Sequence, residues 1–222
     1  GGLPLILLRD DAGEIRCFHN VCSHRGAKLL VEEKRGRKTL VCPNHSWSYS
    51  LGGQLLARPH FFGGDRHDPV ARGGSRACHR ADLKPVRCAT WQDWVFVNID
   101  GSALDFASWI EPVSNALQGY DFAKLGFAEA LTFDIGANWK LAVENFIETY
   151  HVFSCHPWLN GFVPMAERTA PVFEDHVLRC GYEFRHTDPA RGEGLPYFPD
   201  LSETQKRRGD WFVLFPNFAF EV

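Results

Sequence analysis

Two short segments of the chain each carry a cysteine and a histidine close together. Cys22 precedes His24 by two positions, and Cys42 precedes His45 by three. Thiolate sulfur and imidazole nitrogen are ligands that transition metals of intermediate and soft character accept. Four such ligands on two segments predict that the chain binds metal.

Two kinds of metal centre use two cysteines and two histidines. A structural zinc site binds all four around one ion, whereas a mixed-ligand [2Fe–2S] cluster has both cysteines on one iron and both histidines on the other. A zinc finger takes two cysteines from one hairpin and two histidines from a helix. Here each segment supplies one ligand of each type, so each segment can span both irons of a cluster. The spacing favours the cluster, with the zinc site as the alternative.

The residues around these ligands resemble the two cluster loops of Rieske oxygenase α subunits. The similarity lies in the strings NVCSHRGA and CPNHSWSY, which contain the four ligands. It implies a [2Fe–2S] cluster with two protein ligands on each iron. Cys22 and Cys42 would hold the inner iron. His24 and His45 would hold the outer iron.

Three neighbouring positions differ from the Rieske proteins of respiratory cytochrome bc complexes. Those proteins have an additional cysteine in each loop, joined as a disulfide, where this chain has Ala27 and Asn44. They also have a serine, whose hydroxyl donates to a cluster sulfur, where this chain has Trp47. Fewer hydrogen bonds to sulfur stabilise the reduced, more negative cluster less. We therefore expect a low reduction potential.

A second set of side chains that could bind a metal follows at helical spacing. Residues 138 to about 153 have the period of a helix, which would place Glu144, Glu148 and His151 on one narrow face. His156 precedes Pro157, so we expect the helix to break there and His156 to turn toward His151. Taken alone, the pattern also fits an ordinary helix with polar residues.

This segment resembles the catalytic helix of Rieske oxygenases, in which two histidines and one aspartate bind a mononuclear Fe(II). The resemblance implies that His151 and His156 are iron ligands. Glu148 would be the carboxylate that bridges an iron-ligand histidine and a cluster-ligand histidine, His45, of a neighbouring subunit. Asn145 would border the oxygen-binding side.

The spacing of the bridging carboxylate separates two branches of this family. Glu-Asn-x-x-Glu-x-x-His looks more like the oxygenases of quaternary amines such as choline, carnitine or glycine betaine, many of which are α-only trimers. Dioxygenases of the naphthalene type usually have Asp at the bridge, one residue further on. The third iron ligand of the family is expected beyond Val222, and both ends of the sequence look cut.

The resemblance implies a terminal oxygenase that hydroxylates or demethylates a small organic substrate, with a quaternary amine favoured. Electrons would come from an NAD(P)H-dependent reductase or a ferredoxin, and the α subunits would form a homotrimer. The sequence has no glycine-rich nucleotide-binding motif, so the reductase would be another chain. The alternatives are an aromatic-ring dihydroxylating dioxygenase α subunit and a Rieske electron-transfer protein with a non-catalytic second domain.

Two regions of different texture must position these residues. Residues 1–100 predict an all-β Rieske domain, and residues 101–222 predict the first part of an α+β helix-grip catalytic domain, an antiparallel sheet with helices. The predicted strands of the first region include residues 5–8 and 95–99, with hairpin turns at 10–14 and 51–54 and a long loop at 58–82. The predicted elements of the second region are helices at 108–117 and 138–153 and strands at 172–184 and 211–220.

Composition narrows the class of protein further. A hydrophobic content of 45% allows a packed core, and the net charge of −3 argues against nucleic acid or an anionic membrane as partner. No apolar stretch is long enough to span a bilayer. Seven scattered cysteines favour reduced thiols and a cytoplasmic location over a secreted disulfide framework.

Aromatic residues in the second region have two interpretations. They are ordinary core residues, the favoured interpretation, or they form a cage for a quaternary ammonium group. The residues concerned are Trp158, Phe162, Tyr197, Trp211 and Phe215.

Overall fold

The chain divides into two compact units, Gly1–Phe106 and Ala107–Val222. The computed structural model describes residues 2–61, 67–69, 81–168, 170–184 and 194–222, with residues 67–69 and Phe162 described through their backbone alone. Much of the predicted loop at residues 58–82, including Cys78, lies outside the described residues. The domain boundary predicted near residue 100 stays a prediction.

The first unit is built from short antiparallel strands. In chain order they are β1 (Leu5–Arg9), β2 (Ile15–His19), β3 (Thr39–Val41), β4 (Ser48–Ser50), β5 (Leu55–Pro59), β6 (His67–Pro69), β7 (Pro85–Trp91) and β8 (Trp94–Asn98). One sheet has the order β1-β2-β7-β8 and another the order β3-β4-β5-β6. The predicted β character of this unit is confirmed.

Both predicted hairpin turns are confirmed. Between β1 and β2, the Asp10 side chain accepts hydrogen bonds from the backbone N–H of Ala12 and of Glu14, at 2.9 and 3.0 Å. Between β4 and β5, Gly53 has φ +85°, a conformation that glycine adopts without steric cost. These turns fix the registers of the strands that they join.

The core of the first unit includes the two candidate ligand thiols. Cys22 and Cys42 belong to the same buried cluster as Trp47 and Tyr49, which lie on or next to β4. The other members of the cluster are Ile6, Phe18, Leu29, Leu40, Leu55 and Leu83. Because the cysteines pack within this core, the fold of the sheets determines where the two sulfurs lie.

The second unit combines helices with one antiparallel sheet. The helices are α1 (Phe106–Ala116), α2 (Trp139–Ile147), α3 (Val152–Cys155) and α4 (Pro157–Phe162). The strands are β9 (Val172–Glu174), β10 (Val177–Glu183), β11 (Arg208–Leu214) and β12 (Phe218–Glu221), in the sheet order β12-β11-β10-β9. The predicted α+β class and the predicted first helix are confirmed. Each of the two long predicted strands instead contains a turn, with Asp175 at φ +51° in the first.

The prediction of one helix from residue 138 to about 153 is wrong. Asn138 caps the N-terminus of α2 by accepting from the Lys140 N–H, but the helix ends at Ile147 and Glu148 is extended, with φ −79° and ψ 149°. The carboxylate of Glu148 accepts from the backbone N–H of Tyr150 at 2.5 Å. This side-chain bond competes with the helical hydrogen-bond pattern, which periodicity does not reveal.

The longest of these helices is α1, with eleven residues. Within the described part of the chain, no helix combines the length and the apolar character that crossing a membrane requires.

Candidate metal centres

The two cysteine–histidine loops have the same backbone hydrogen bonds. In each loop the cysteine N–H donates to the carbonyl five residues ahead, and the cysteine carbonyl accepts from the N–H four residues ahead. The bonds are Cys22 N to Ala27 O (2.8 Å), Gly26 N to Cys22 O (3.0 Å), Cys42 N to Trp47 O (2.8 Å) and Ser46 N to Cys42 O (3.1 Å). The residue four after the cysteine has positive φ in both loops, +75° at Gly26 and +56° at Ser46. The two loops thus share one backbone hydrogen-bond pattern around their cysteines.

The four ligand side chains separate into an inner and an outer pair. Cys22 and Cys42 are buried, with 1% and 2% of their surface exposed. His24 is half-buried and His45 is exposed, and their ring centroids are 4.8 Å apart. Two thiols on the inside and two imidazoles on the outside are the donor set that a Rieske [2Fe–2S] cluster requires, so the residues fit that group.

Burial changes the protonation of these ligands in the metal-free chain. It raises the pKa of the Cys22 thiol, and a hydrogen bond from Tyr49 opposes this effect. It lowers the pKa of His24, with the neighbouring His45 and Arg25 acting in the same direction. Because thiolate and neutral imidazole are the metal-binding forms, bound iron would favour deprotonated cysteines at this site.

Tyr49 lies beside a candidate ligand thiol, a position that was not predicted from the sequence. Its hydroxyl lies 3.2 Å from Cys22 Sγ and accepts from the Ser23 N–H at 3.2 Å. The side chain is fully buried, and this burial raises the pKa of the phenol. The hydroxyl therefore stays protonated and can donate to a ligand sulfur. One feature of the sequence could have pointed to Tyr49. The two-residue period of a strand places Trp47 and Tyr49 on the same side.

Trp47 covers one of the outer ligands. Its indole stacks on the His24 imidazole, with ring centroids 4.6 Å apart and an angle of 8° between the planes. Phe61 contacts the indole edge-on at 5.6 Å. The position that holds a hydroxyl in the cytochrome bc proteins thus carries an apolar ring here.

Glu148 connects the end of α2 to the first histidine of the second site. Its Oε1 pairs with Nδ1 of His151, and its Oε2 accepts from the backbone N–H of Tyr150 and of His151. Partial burial opposes ionisation of the carboxyl, but these hydrogen bonds hold the pKa of Glu148 below its usual range. The carboxylate is therefore ionised at neutral pH and holds His151 Nδ1, which leaves Nε2 for a metal.

The short helix α3 brings the two histidines together. His151 precedes it, and His156 follows it with φ −129°, so the predicted break at His156 is confirmed. The imidazole centroids are 5.3 Å apart and their planes are inclined by 77°. Two imidazoles with this separation can bind one metal ion between them, a donor set that fits Fe(II).

Within the described ranges, no group of three or more histidine, cysteine, aspartate or glutamate side chains is arranged to hold a metal ion. A Rieske cluster does not need such a group, because two protein ligands and bridging sulfides complete each iron. For the second site the described residues offer the imidazoles of His151 and His156. A third protein ligand for that site stays a prediction.

An open cleft of about 680 Å³ contains the histidine pair. Asn145, Glu148, His151 and His156 all line it, so the predicted residues of the second site share one cavity. Five aromatic side chains line it as well, namely Phe146, Trp158, Tyr182, Phe184 and Trp211. The basic residues of the lining are Arg168, Lys206 and Arg207.

The aromatic cage, the less favoured interpretation of the five aromatic residues, agrees with this cleft only in part. Trp158 and Trp211 line it, whereas Tyr197 and Phe215 are not among its lining residues. Phe215 instead packs against Trp139 on α2, with ring centroids 5.4 Å apart. The side chain of Phe162 lies outside the described residues.

Family comparisons match both units. Residues 1–62 match the Rieske [2Fe-2S] domain, and residues 122–222 match the ring hydroxylating alpha subunit (catalytic domain). The first match contains both cysteine–histidine loops, and the second contains the cleft.

Three relatives illustrate the similarity in sequence. The glycine betaine monooxygenase oxygenase subunit of Pseudomonas aeruginosa is 31% identical over 202 residues, 89% of this chain and 43% of the relative. The carnitine monooxygenase oxygenase subunit of Escherichia coli is 31% identical over 82% of this chain and 46% of the relative. The chloroplastic choline monooxygenase of Beta vulgaris is 29% identical over 100% of this chain and 46% of the relative. The chain spans about half the length of these curated relatives.

Solved structures share the fold. A quaternary ammonium Rieske monooxygenase with a bound inhibitor has a TM-score of 0.74 and 21% identity, over 100% of this chain and 55% of that one. Naphthalene 1,2-dioxygenase from Rhodococcus has a TM-score of 0.72 and 24% identity, over 98% of this chain and 53% of that one.

Proposed function

Because this chain belongs to the family of Rieske oxygenase α subunits, we propose that the whole protein is the terminal oxygenase of a quaternary-amine monooxygenase system. Its reaction would be the O₂-dependent hydroxylation or demethylation of a small quaternary ammonium compound. The observation that carries this proposal is the pairing of Glu148 with His151, beside His156, in a cleft with aromatic walls. An electron carrier would have no use for two histidines in such a cleft.

The first unit would store electrons. Cys22 and Cys42 would hold one iron of the [2Fe–2S] cluster, and His24 and His45 the other. The Tyr49 hydroxyl lies 3.2 Å from Cys22 Sγ and can donate to it, and the fold keeps both thiols away from water. His45 is exposed, so its imidazole is available to a neighbouring subunit.

The second unit would hold the substrate and the reacting metal. Mononuclear iron bound by His151 and His156 would supply the activation of O₂. Glu148 fixes the orientation of His151 through Nδ1, and its carboxylate can accept a second imidazole N–H, such as that of His45 from a neighbour. Asn145 lines the same cleft and would border the oxygen-binding side.

The proposal extends to partners and location. Electrons would come from a separate NAD(P)H-dependent reductase or a ferredoxin, and the α subunits would assemble as a homotrimer in which cluster and iron of adjacent subunits meet. The described cysteines, namely Cys17, Cys22, Cys42, Cys88, Cys155 and Cys180, are all free thiols. Free thiols support a reducing compartment, the cytoplasm.

The aromatic walls of the cleft support a quaternary ammonium substrate, because aromatic faces attract such cations. The same walls would also accept an aromatic hydrocarbon. The second candidate is therefore an aromatic-ring dihydroxylating dioxygenase, the reaction class of the naphthalene enzyme with the same fold.

The test uses the full-length protein with a compatible reductase, NAD(P)H and O₂. We expect a Rieske-type EPR signal, and formaldehyde or a hydroxylated product in proportion to the O₂ consumed from glycine betaine, carnitine or choline. Conversion of naphthalene to a dihydrodiol, without turnover of any quaternary amine, would favour the second candidate. Stoichiometric zinc without acid-labile sulfide would contradict both candidates.

A further inference from the structure

The cleft around the histidine pair contains the guanidinium group of Arg168, which forms no ion pair with an acidic side chain of the described residues, although Glu148 and Glu221 line the same cleft. Arg168 follows a short 3₁₀ turn, and its Nε and Nη2 both donate to the carbonyl of Val163, at 3.0 and 2.9 Å. Its third nitrogen, Nη1, is buried and has no hydrogen-bond partner in the described part of the molecule. Two of the three nitrogens thus fix the side chain, and the third is buried without a hydrogen-bond partner among the described residues.

Of the other basic residues of this cleft, Lys206 has an acidic partner and Arg207 is exposed to solvent. Lys206 pairs with the carboxylate of Glu203 at 2.8 Å, and Arg207 Nε donates to the carbonyl of the same residue at 3.3 Å. An unpaired, buried part of a charged group destabilises a protein unless a ligand satisfies it. Arg168 is therefore the cation of this cleft that is prepared for an anion.

The aromatic part of the cleft lies next to this cation. The Arg168 guanidinium lies over the ring of Tyr182, at 5.2 Å from its centroid. Tyr182 in turn packs against Trp211 with ring centroids 5.0 Å apart. One cavity thus offers aromatic faces, which attract a quaternary ammonium group, and a fixed guanidinium, which binds a carboxylate. Together these features complement a zwitterion.

We propose that Arg168 makes the protein select quaternary amines that carry a carboxylate, by pairing its guanidinium group with the carboxylate of the substrate. This inference rests on the proposed function and narrows its substrate class. Glycine betaine and carnitine have a carboxylate, whereas choline has a hydroxyl group in its place. The substrate would therefore be of the betaine type, and choline would bind weakly.

The first experiment needs no variant. Calorimetric titration of the full-length protein compares glycine betaine with its methyl ester, which keeps the ammonium group and the carbonyl but removes the negative charge. Loss of a hydrogen bond between charged groups predicts that the ester binds about 10- to 100-fold more weakly. Equal affinity for the two compounds would overturn the inference.

The second experiment changes the protein. Arg168→Gln should weaken glycine betaine binding by about 10- to 100-fold and change choline binding by less than about 3-fold, since choline has no group for the guanidinium. Lys124→Gln removes an exposed charge from the same unit and serves as the matched control. Equal weakening of the binding of both ligands would show that Arg168 only supports the fold. Unchanged binding of glycine betaine would show that Arg168 does not contact the carboxylate. Either result would overturn the inference. If Arg168→Gln does not fold, the ester comparison on the unaltered protein decides.

Turnover separates this inference from the proposed function. The unaltered protein could release formaldehyde from glycine betaine while the Arg168→Gln variant keeps the same preference for glycine betaine over choline. That result would contradict the inference and leave the oxygenase proposal standing. Absence of any quaternary-amine turnover, with naphthalene consumed, would sink both.

Discussion

The carboxylate of Glu148 reaches Nδ1 of His151 across a turn between two helices, and not along the face of one helix. Helical spacing would also have placed these two residues on one side. The turn adds something that a helix would not, because Glu148 also accepts from the backbone N–H of the segment that carries His151. The carboxylate therefore fixes both the ring and the main chain of the histidine.

Replacing Glu148 by Gln should uncouple the two metal sites. An amide cannot accept from two imidazole N–H groups, because one of its ends is a donor. The Rieske cluster should still assemble and accept electrons from the reductase, and iron should remain on His151 and His156. Product formation should fall by at least about 10-fold, in line with the loss of a partner that orients a metal ligand. The measurement is a single turnover with a pre-reduced cluster, following cluster reoxidation and product together.

A charge-neutralising control for this variant is Glu111→Gln, at an exposed position of α1. It should leave the single turnover unchanged. Near-normal turnover in Glu148→Gln would make Glu148 a bystander. Loss of the mononuclear iron in that variant would instead make Glu148 a ligand.

Local spacing predicted a candidate ligand set for the first unit, and the structure brings the ring centroids of its two histidines within 4.8 Å, while the second unit depended on features that spacing does not encode. Both cysteine–histidine pairs lie within single loops, so the sequence alone indicated their chemistry. The end of α2 at Ile147 depends on a glutamate side chain that competes for backbone N–H groups, a role less common for Glu than for Asp or Ser. Arg168 enters the cleft only through the tertiary packing of its segment against β10.

Tyr49→Phe should lower the reduction potential of the Rieske cluster. The hydroxyl lies 3.2 Å from Cys22 Sγ, and a hydrogen bond from it would stabilise the reduced, more negative cluster. The variant removes this hydroxyl. A net hydrogen-bond contribution of about 1 kcal/mol corresponds to a decrease of about 40 mV for a one-electron couple. A redox titration followed by EPR measures this change. Tyr120→Phe, at a tyrosine of the second unit, is the control, and an unchanged potential in Tyr49→Phe would show that the hydroxyl does not donate to sulfur.

The two cluster loops should respond in opposite directions to substitution at their equivalent positive-φ residues. Gly26→Ala introduces a Cβ into open space, so its cost is conformational, about 1–2 kcal/mol. Ser46→Gly removes that cost but makes the unfolded chain more flexible, which leaves a net stabilisation of about 0.5 kcal/mol. The midpoint temperature of cluster loss, followed by visible absorption, should fall in the first variant and rise in the second. A fall in both variants would show that the loops are not equivalent.

Replacing His156 by Ala should empty the second metal site and leave the first intact. His156 follows α3 and lies in the cleft of the second unit, whereas the predicted cluster ligands lie in the core and loops of the first unit. Iron content should therefore fall to about two per chain, the number in a [2Fe–2S] cluster, with the visible and EPR spectra of the cluster retained. Metal analysis of the full-length protein, together with the stoichiometry of acid-labile sulfide, measures both sites at once. Cys155→Ser, at the exposed neighbouring thiol, is the matched control and should keep the full iron content. Retention of all iron in His156→Ala would remove this residue from the ligand set. Concurrent loss of the cluster would indicate general unfolding. A lower thermal unfolding temperature for His156→Ala than for the control variant would show this.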